Sequence, residues 1–200
     1  GRYQVEQNGS LNGKLELSIP NSFVRYDDGK AEAQEYRFSQ TDIIADVQGD
    51  NVDTDLKFVL RDGGSFSTKG RLDLAQPNNL YGFEGEGALS AFPLALIQPY
   101  IPSNIVLNGF VDGRYQLTQR GGQQGSAQLQ FPAGGITFIG EKGESQSLDY
   151  KSGEINATIR GKQITGDASV VMADGGTLTT RGNVNLGKSA KAHTVNLQGD

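Results

Sequence analysis

The chain has 200 residues, a length that suits one or two domains of the usual ~100–200 residues. Its formal net charge is −5, and its 18 Lys and Arg residues are scattered singly. Since neutralising phosphates requires clustered cations, these properties exclude nucleic acid as an expected partner. The chain has no Cys, which excludes disulfides, thiolate metal sites and a Cys nucleophile.

Apolar and polar residues alternate with a period of two through most of the chain. This pattern is typical of β-strands with one polar and one apolar face. The 28 glycines are roughly twice the average usage, whereas Pro, at 6, is not enriched. These glycines are therefore expected to punctuate ordered structure, and we predict an almost all-β protein.

Glycine next to Asn, Asp or another Gly marks the expected hairpin turns, because these residues tolerate positive φ. Short strand–turn–strand spacing indicates antiparallel meanders. The predicted turns are Asn12-Gly13, Asp28-Gly29, Asp62-Gly63-Gly64, Asp112-Gly113, Gly121-Gly122 and Asp174-Gly175-Gly176.

Residues 90–102, S-A-F-P-L-A-L-I-Q-P-Y-I-P, depart from the strand pattern. Ser90 is placed to cap a short helix with Pro93 in its first turn. We interpret this segment as an amphipathic plug or hinge, and the alternative is an extended edge segment. The apolar residues expected to share one helix face are Leu94, Ile97 and Ile101.

Shifting the sequence by 112 residues aligns its two halves almost without gaps. Residues 61–74 overlay residues 173–186, and the offset already holds at Pro20 and Pro132. Repeats that stack on their neighbours give elongated structures with extended surfaces. We predict a single elongated module made of two related halves, about residues 1–105 and 106–200.

The apolar sides of the predicted strands need a partner or a ligand. A low hydrophobic content of 36% and abundant Gly favour a thin, curved, single-layer sheet over a two-layer core. We therefore predict an elongated antiparallel sheet, U-shaped like a taco, with an apolar interior face and at most one short helix near residues 90–102. The residues predicted to line this hydrophobic groove are Leu15, Leu17, Ile19, Ile43, Val47, Leu56, Phe58, Leu60, Leu72, Leu74, Ile155, Ile159, Val170, Met172, Val184 and Leu186.

Catalytic and metal-binding patterns are weak. The only His, His193, stands near the end of the sequence, and nothing singles out a catalytic pair among the 23 carboxylates. Residues 27–29 and 50–53 carry oxygen ligands without the spacing of a known Ca²⁺ loop. We expect no catalytic residue, no cofactor and no metal.

Aromatic residues are clustered around the middle of the chain. A carbohydrate-stacking platform is one interpretation, but packing in a core or hinge is favoured because Trp is absent. The clustered residues are Tyr81, Phe83, Phe92, Tyr100, Phe110 and Tyr115.

Residues 92–118 carry the run F-P-L-A-L-I-Q-P-Y-I-P-S-N-I-V-L-N-G-F-V-D-G-R-Y-Q-L-T. This run resembles the C-terminal region of the TamB family, within the AsmA-like, bridge-type lipid transfer group. The chain departs from the family pattern at residues 119–122. The matching positions are Pro93, Leu94, Leu96, Pro99, Tyr100, Ile101, Pro102, Leu107, Gly109, Val111, Gly113 and Leu117.

The resemblance implies a non-enzymatic module in the periplasm of a Gram-negative bacterium, in a parent protein anchored in the inner membrane. The implied partner is a TamA-like barrel of the outer membrane. The implied cargo is phospholipid acyl chains, or unfolded outer-membrane proteins and autotransporters, carried during protein secretion, outer-membrane assembly and phospholipid transport. From the residues alone, the alternative is a carbohydrate-binding or adhesin-type β-sandwich, with a β-fold hydrolase as a third hypothesis.

Overall fold

The computed structural model describes residues 1–8, 10–26, 34–75, 82–119, 122–140, 142–185 and 194–199. These residues form one open, curved antiparallel sheet and a single short helical segment, as predicted. The described part of the chain contains fourteen strands: β1 (Arg2–Asn8), β2 (Ser10–Tyr26), β3 (Gln34–Gln48), β4 (Asn51–Leu60), β5 (Ser65–Asp73), β6 (Gly82–Pro93), β7 (Ile105–Asn108), β8 (Phe110–Gln119), β9 (Gln123–Phe131), β10 (Gly134–Ile139), β11 (Ser145–Arg160), β12 (Gln163–Met172), β13 (Thr177–Asn185) and β14 (Thr194–Gly199).

The strands pair as a meander, so most of them lie next to their neighbours in sequence. The order along the sheet is β1-β2-β3-β4-β5-β6-β8-β9-β11-β12-β13-β14. The short strands β7 and β10 pair with each other, and β10 also pairs with the first half of β11. The two short strands thus widen the sheet at one end of its strands.

Two of the predicted turns are confirmed, at Asp62-Gly63-Gly64 and Asp174-Gly175-Gly176. The turns predicted at Asn12-Gly13 and Asp112-Gly113 are wrong, because both pairs lie inside strands β2 and β8. Their glycines allow close approach of the next strand. A Cβ on Gly13 would stand 2.8 Å from the carbonyl oxygen of Gln4, and one on Gly113 would stand 2.6 Å from that of Gln128. The pair Asp28-Gly29 lies outside the described residues, as does Gly121, whereas Gly122 lies between β8 and β9.

The same offset of 112 residues relates the strand ladders in space. The β2–β3 ladder pairs Leu17 with Ile43, and the β9–β11 ladder pairs Leu129 with Ile155. Register shifts occur between Phe38 and Gln40 and again between Tyr150 and Ser152. The hairpin glycines Gly49 and Gly161 have φ of 62° and 60°. The two series of strands continue one another through the β6–β8 ladder, and a division near residue 105 stays a prediction.

Residues 94–100 form a 3₁₀ helix, which we call the 3₁₀ segment. The helix cap predicted at Ser90 is wrong, because β6 continues to Pro93 and Ser90 pairs with Ser65. The predicted helix face is also wrong, since Leu94 is 4% exposed but Ile97 is 37% exposed. Because residues 90–93 pair with the sheet, only the seven residues 94–100 form the helix. Pro99 lies inside this helix and has no N–H to donate to a helical hydrogen bond.

Burial is shallow throughout the described sheet. Among the described residues, the buried apolar side chains are Leu60, Val111 and Tyr150 of the sheet and Leu94 of the 3₁₀ segment, and none of the described side chains is less than 2% exposed. The accessible surface is 13865 Å². A compact protein of this mass, 21.4 kDa, exposes about 9,100 Å². The large excess of surface is the mark of a single layer without a packed second sheet.

Candidate functional site: the apolar face of the sheet

The strand register assigns each side chain to one of two faces, because residues paired across an antiparallel ladder lie on the same face. One face, which we call the apolar face, carries aliphatic, aromatic, Gly and Thr residues in rows that run across the strands. One row contains Leu17, Ile43, Leu56, Thr68, Gly87, Tyr115, Ala127, Ala157, Gly166 and Gly182. The next row contains Ile19, Thr41, Phe58, Phe66, Leu89, Gly113, Leu129, Ile155, Ala168 and Thr180.

The opposite face, which we call the polar face, is formed by charged, amide and hydroxyl residues. Apolar exceptions include Ile44, Val59 and Val171. One of its rows contains Lys14, Asp46, Asp53, Arg71, Glu84, Thr118, Gln124, Arg160, Gln163 and Asn185. The alternation of apolar and polar residues in the sequence therefore places them on opposite faces along the length of the sheet.

Most of the predicted groove residues lie on the apolar face. Leu74 lies one residue beyond the end of β5 and is 46% exposed. Val184 pairs with Ile164 in the backbone ladder, and Leu186 lies outside the described residues. That this face binds a ligand stays a prediction. The predicted residues on the apolar face are Leu15, Leu17, Ile19, Ile43, Val47, Leu56, Phe58, Leu60, Leu72, Ile155, Ile159, Val170 and Met172.

A break in the alternation brings further residues onto the apolar face. The register shift at Ser39, opposite Asn21 with its positive φ of 53°, moves the even-numbered residues Ser22 and Phe38 to this side. The Ser22 and Thr41 hydroxyl oxygens lie 2.7 Å apart, which satisfies the buried Thr41. A strict period of two assigns Phe38 to the wrong face, so sequence reasoning missed it.

Four aromatic rings, which we call the aromatic ladder, cross the middle of the apolar face. Centroid distances are 5.4 Å from Phe38 to Phe58, 6.1 Å from Phe58 to Phe66 and 6.1 Å from Phe66 to Tyr115. The last pair joins strands that are not adjacent, because the Tyr115 ring extends across Gly87 of the intervening strand. A Cβ on Gly87 would lie 2.5 Å from the Cε1 atom of Tyr115.

The six aromatic residues that cluster in the middle of the sequence do not form one cluster among the described residues of the structure. Phe83 and Phe92 join Tyr115 on the apolar face by register, and Phe110 is 46% exposed. Phe83 covers Gly85 much as Tyr115 covers Gly87, with its Cζ atom 2.5 Å from where a Cβ would stand. Tyr81 lies outside the described residues, and Tyr100 ends the 3₁₀ segment. Phe83 and Tyr115 therefore contact neighbouring residues of the sheet, and the choice between packing and a carbohydrate-stacking platform stays a prediction.

The 3₁₀ segment lies at one end of the apolar face. The amide of Leu94 donates to Gly109 O at 3.0 Å, and the Tyr36 hydroxyl donates to Leu96 O at 3.5 Å. The Gln98 side chain donates to Ile105 O at 2.6 Å and accepts from Leu107 N at 3.2 Å. The Gln98 side-chain amide thus makes the two hydrogen bonds to the β7 backbone that a neighbouring strand would otherwise make. The buried apolar side chains Leu60, Leu94, Val111 and Tyr150 lie at this end, and the other apolar side chains of this face are only partly buried or exposed.

The polar face is held by exposed ion pairs and hydrogen bonds. Arg71 binds Asp53 with two hydrogen bonds, of 2.7 and 2.8 Å, which lower the pKa of the Asp53 carboxyl. Hydrogen bonds from Ser18 and Gln40 lower the pKa of Asp42. Lys69 lies 3.1 Å from Asp55. An open depression of about 740 Å³ also lies on this face, lined by Gln128, Asn156, Thr165, Asp167 and Arg181 among others.

The described residues contain no group of three or more His, Asp or Glu side chains placed to hold a metal ion. Asp53, in the segment considered for Ca²⁺, is bound by Arg71, while residues 27–29 and His193 lie outside the described residues. Within the same limits, no helix has the length and apolar character needed to cross a membrane. The fold defines an all-β protein with one open sheet whose two faces differ in polarity. The chain matches no protein-family model, no curated protein and no solved structure.

Proposed function

We propose that the chain is a non-enzymatic module whose apolar face shields apolar cargo from water. The observation that supports this proposal is a face of aliphatic and aromatic rows that no second layer of the described sheet covers. The cargo is an extended apolar molecule, either phospholipid acyl chains or unfolded β-segments of outer-membrane proteins. Most monomeric proteins bury such a surface, so its exposure favours binding.

The dimensions of the face fit such cargo. The sheet path contains 12 strands, which at a spacing of about 4.8 Å extend roughly 50 Å. An acyl chain spans half of the ~30 Å hydrocarbon core of a bilayer, so it would cross three or four strands along one row. Each Å² of apolar area removed from water contributes about 25 cal/mol, whatever the shape of the cargo. Low selectivity is therefore expected.

The resemblance to the TamB family suggests where the module acts. We place it in the periplasm, as part of an inner-membrane-anchored protein that spans towards a TamA-like outer-membrane barrel. There the apolar face would carry cargo during protein secretion, outer-membrane assembly and phospholipid transport. The polar face, with its exposed ion pairs, would remain in water.

Photocrosslinking tests the proposal directly. A benzophenone amino acid replaces Phe66 on the apolar face or, as the matched control, its neighbour Ser67 on the polar face. Each protein is incubated with phosphatidylethanolamine–phosphatidylglycerol vesicles, or with an outer-membrane protein diluted from urea. We expect adducts from position 66 several times more often than from position 67, and their mass separates lipid from polypeptide cargo. Equal yields from the two positions would refute the proposal.

A further inference from the structure

The depression of about 740 Å³ on the polar face lies between two parallel rows of polar side chains. Both rows cross strands β9, β11, β12 and β13, and the small residues between them belong by register to the apolar face. One row contains Ser126, Thr158, Thr165 and Asn183, and the other contains Gln128, Asn156, Asp167 and Arg181. The floor between the rows is formed by Ala127, Ala157, Gly166 and Gly182.

A second depression, of about 560 Å³, continues the first. The two share Ser126 and Gln128, and the second extends across β8 and β6 to β5 along the same two rows. We call the two depressions together the polar trough. The polar trough crosses seven strands of the described sheet, which at a spacing of about 4.8 Å gives a length of roughly 30 Å.

The internal repeat provides a comparison for the part of the trough on β9 to β13. The eight positions 112 residues earlier lie on β2 to β5, and seven of the eight carry a charge. There Lys14 lies 2.6 Å from Glu16, an ion pair that joins one row to the other. In the trough, only Asp167 and Arg181 of the eight residues are charged. The eight earlier positions are Lys14, Asp46, Asp53, Arg71, Glu16, Ile44, Asp55 and Lys69.

The trough keeps hydrogen-bonding groups available on both of its sides. Ser126 and Gln128 stand in place of the Lys14–Glu16 pair, and neither side chain bonds another described residue. Asn156 donates to Glu154 at 3.0 Å and to Asp167 at 3.2 Å, and neither acceptor lies in the opposite row. A ligand lying in the trough can therefore reach both rows.

The chemistry of the trough is that of an uncharged, hydrogen-bonding ligand. Its amide and hydroxyl side chains both donate and accept hydrogen bonds, as each hydroxyl group of a sugar does. Lys69, Arg114 and Arg181 are balanced by Glu86 and Asp167, so the described trough has no strong charge of one sign. Nucleic acids need clustered cations, and peptide grooves use apolar pockets, a sheet edge or arginine clusters, none of which these two rows provide.

We propose that the polar trough binds an uncharged, extended glycan chain laid across the strands. Gln116, Gln128 and Asn156 would bond its hydroxyl groups through their side-chain amides. The glycan must be extended, because successive strands present these side chains along one line in steps of about 4.8 Å. The proposal does not depend on the cargo of the apolar face, which lies on the other side of the sheet.

Binding should be weak. Neither row of the described sheet contains an aromatic residue, so the glycan gains hydrogen bonds without stacking on a ring. Each of these bonds replaces one to water, and a dissociation constant on the order of millimolar is expected. Because the ligand carries no charge, added salt should not weaken its binding.

NMR titration tests the proposal with cellohexaose, an extended and uncharged hexasaccharide. The sugar is added to the isotope-labelled natural chain, and the side-chain amide signals of Gln128 and Asn156 are followed. We expect both signals to shift and to saturate at sugar concentrations on the order of 10 mM. The absence of a saturable shift, or a binding strength that falls as salt is added, would overturn the proposal.

The repeat also supplies a variant that should close the trough. Ser126→Lys combined with Gln128→Glu installs the Lys14–Glu16 pattern on β9, and it should weaken cellohexaose binding at least about tenfold, or 1.4 kcal/mol. The matched control combines Gln124→Lys with Gln130→Glu, which adds the same charges to the same face of β9 outside the two rows and should leave binding unchanged. Circular dichroism checks that both variants keep their strand content. Equal binding by the two folded variants would contradict the proposed site.

Discussion

Substitutions at two adjacent residues of β3, Ile43 and Ile44, can distinguish an effect on cargo binding from an effect on folding. Ile43 lies on the apolar face between Leu17 and Leu56, whereas Ile44 lies on the polar face between Glu16 and Asp55. A Lys at position 43 places a charge on the proposed cargo surface. A Lys at position 44 meets two carboxylates instead, so its cost is expected to be small.

We expect Ile43→Lys to reduce the adducts formed from position 66 on the order of tenfold, which corresponds to about 1.4 kcal/mol of cargo binding. Ile44→Lys should leave the adduct yield unchanged. Circular dichroism must show that both variants keep their strand content. Equal adduct yields from two folded variants would mean that the apolar face does not bind the cargo.

The Asp53–Arg71 pair makes stability depend on pH. Because Arg71 lowers the pKa of Asp53 in the folded chain, the pair stabilises the fold when pH lies above the unfolded value of 3.8. That contribution is lost as the pH falls through the lowered folded pKa. Arg71→Gln should therefore reduce the urea midpoint more at about pH 7 than at about pH 3. A reduction that is the same at both pH values would show that the ion pair contributes nothing.

At the scale of elements, the 3₁₀ segment should stabilise one end of the sheet through Leu94. Truncating this 4% exposed side chain leaves a cavity, and Leu94→Ala should cost about 2–4 kcal/mol of unfolding free energy in urea. Ile97→Ala removes a side chain from the same segment that is 37% exposed, and it should cost less than about 1 kcal/mol. Similar losses in the two variants would contradict the packing described for Leu94.

Gly87 allows the aromatic ladder to cross strand β6. A Cβ there would clash with Ser67 O and with the Tyr115 ring, so Gly87→Ala should cost about 1–3 kcal/mol. Gly122 has nothing within 4 Å of its Cβ position, which makes Gly122→Ala the matched control with little effect expected. Thermal unfolding followed by circular dichroism compares the two. An unchanged stability of Gly87→Ala would show that Tyr115 does not need the glycine.

The alternation of residues such as Leu15, Leu17 and Ile19 predicted the strands and their faces, because side chains alternate along any paired strand. Sequence reasoning failed where the period changes. The shift at Ser39 reverses the alternation, and nothing local in the sequence marks it. The sequence predicts turns at Gly13 and Gly113, because a glycine that lets a neighbouring strand approach closely has the same sequence signature as a glycine with positive φ.

At the scale of the whole molecule, a single layer should make the chain longer than a compact protein of its size. A globular chain of 200 residues has a radius of gyration of about 16–17 Å. A sheet path of 12 strands, roughly 50 Å across, should give a clearly larger value in small-angle X-ray scattering. Because any self-association would also raise the radius of gyration, the value must be extrapolated to zero concentration. A limiting value near 16 Å would mean that the sheet folds onto itself and seals its apolar face from cargo.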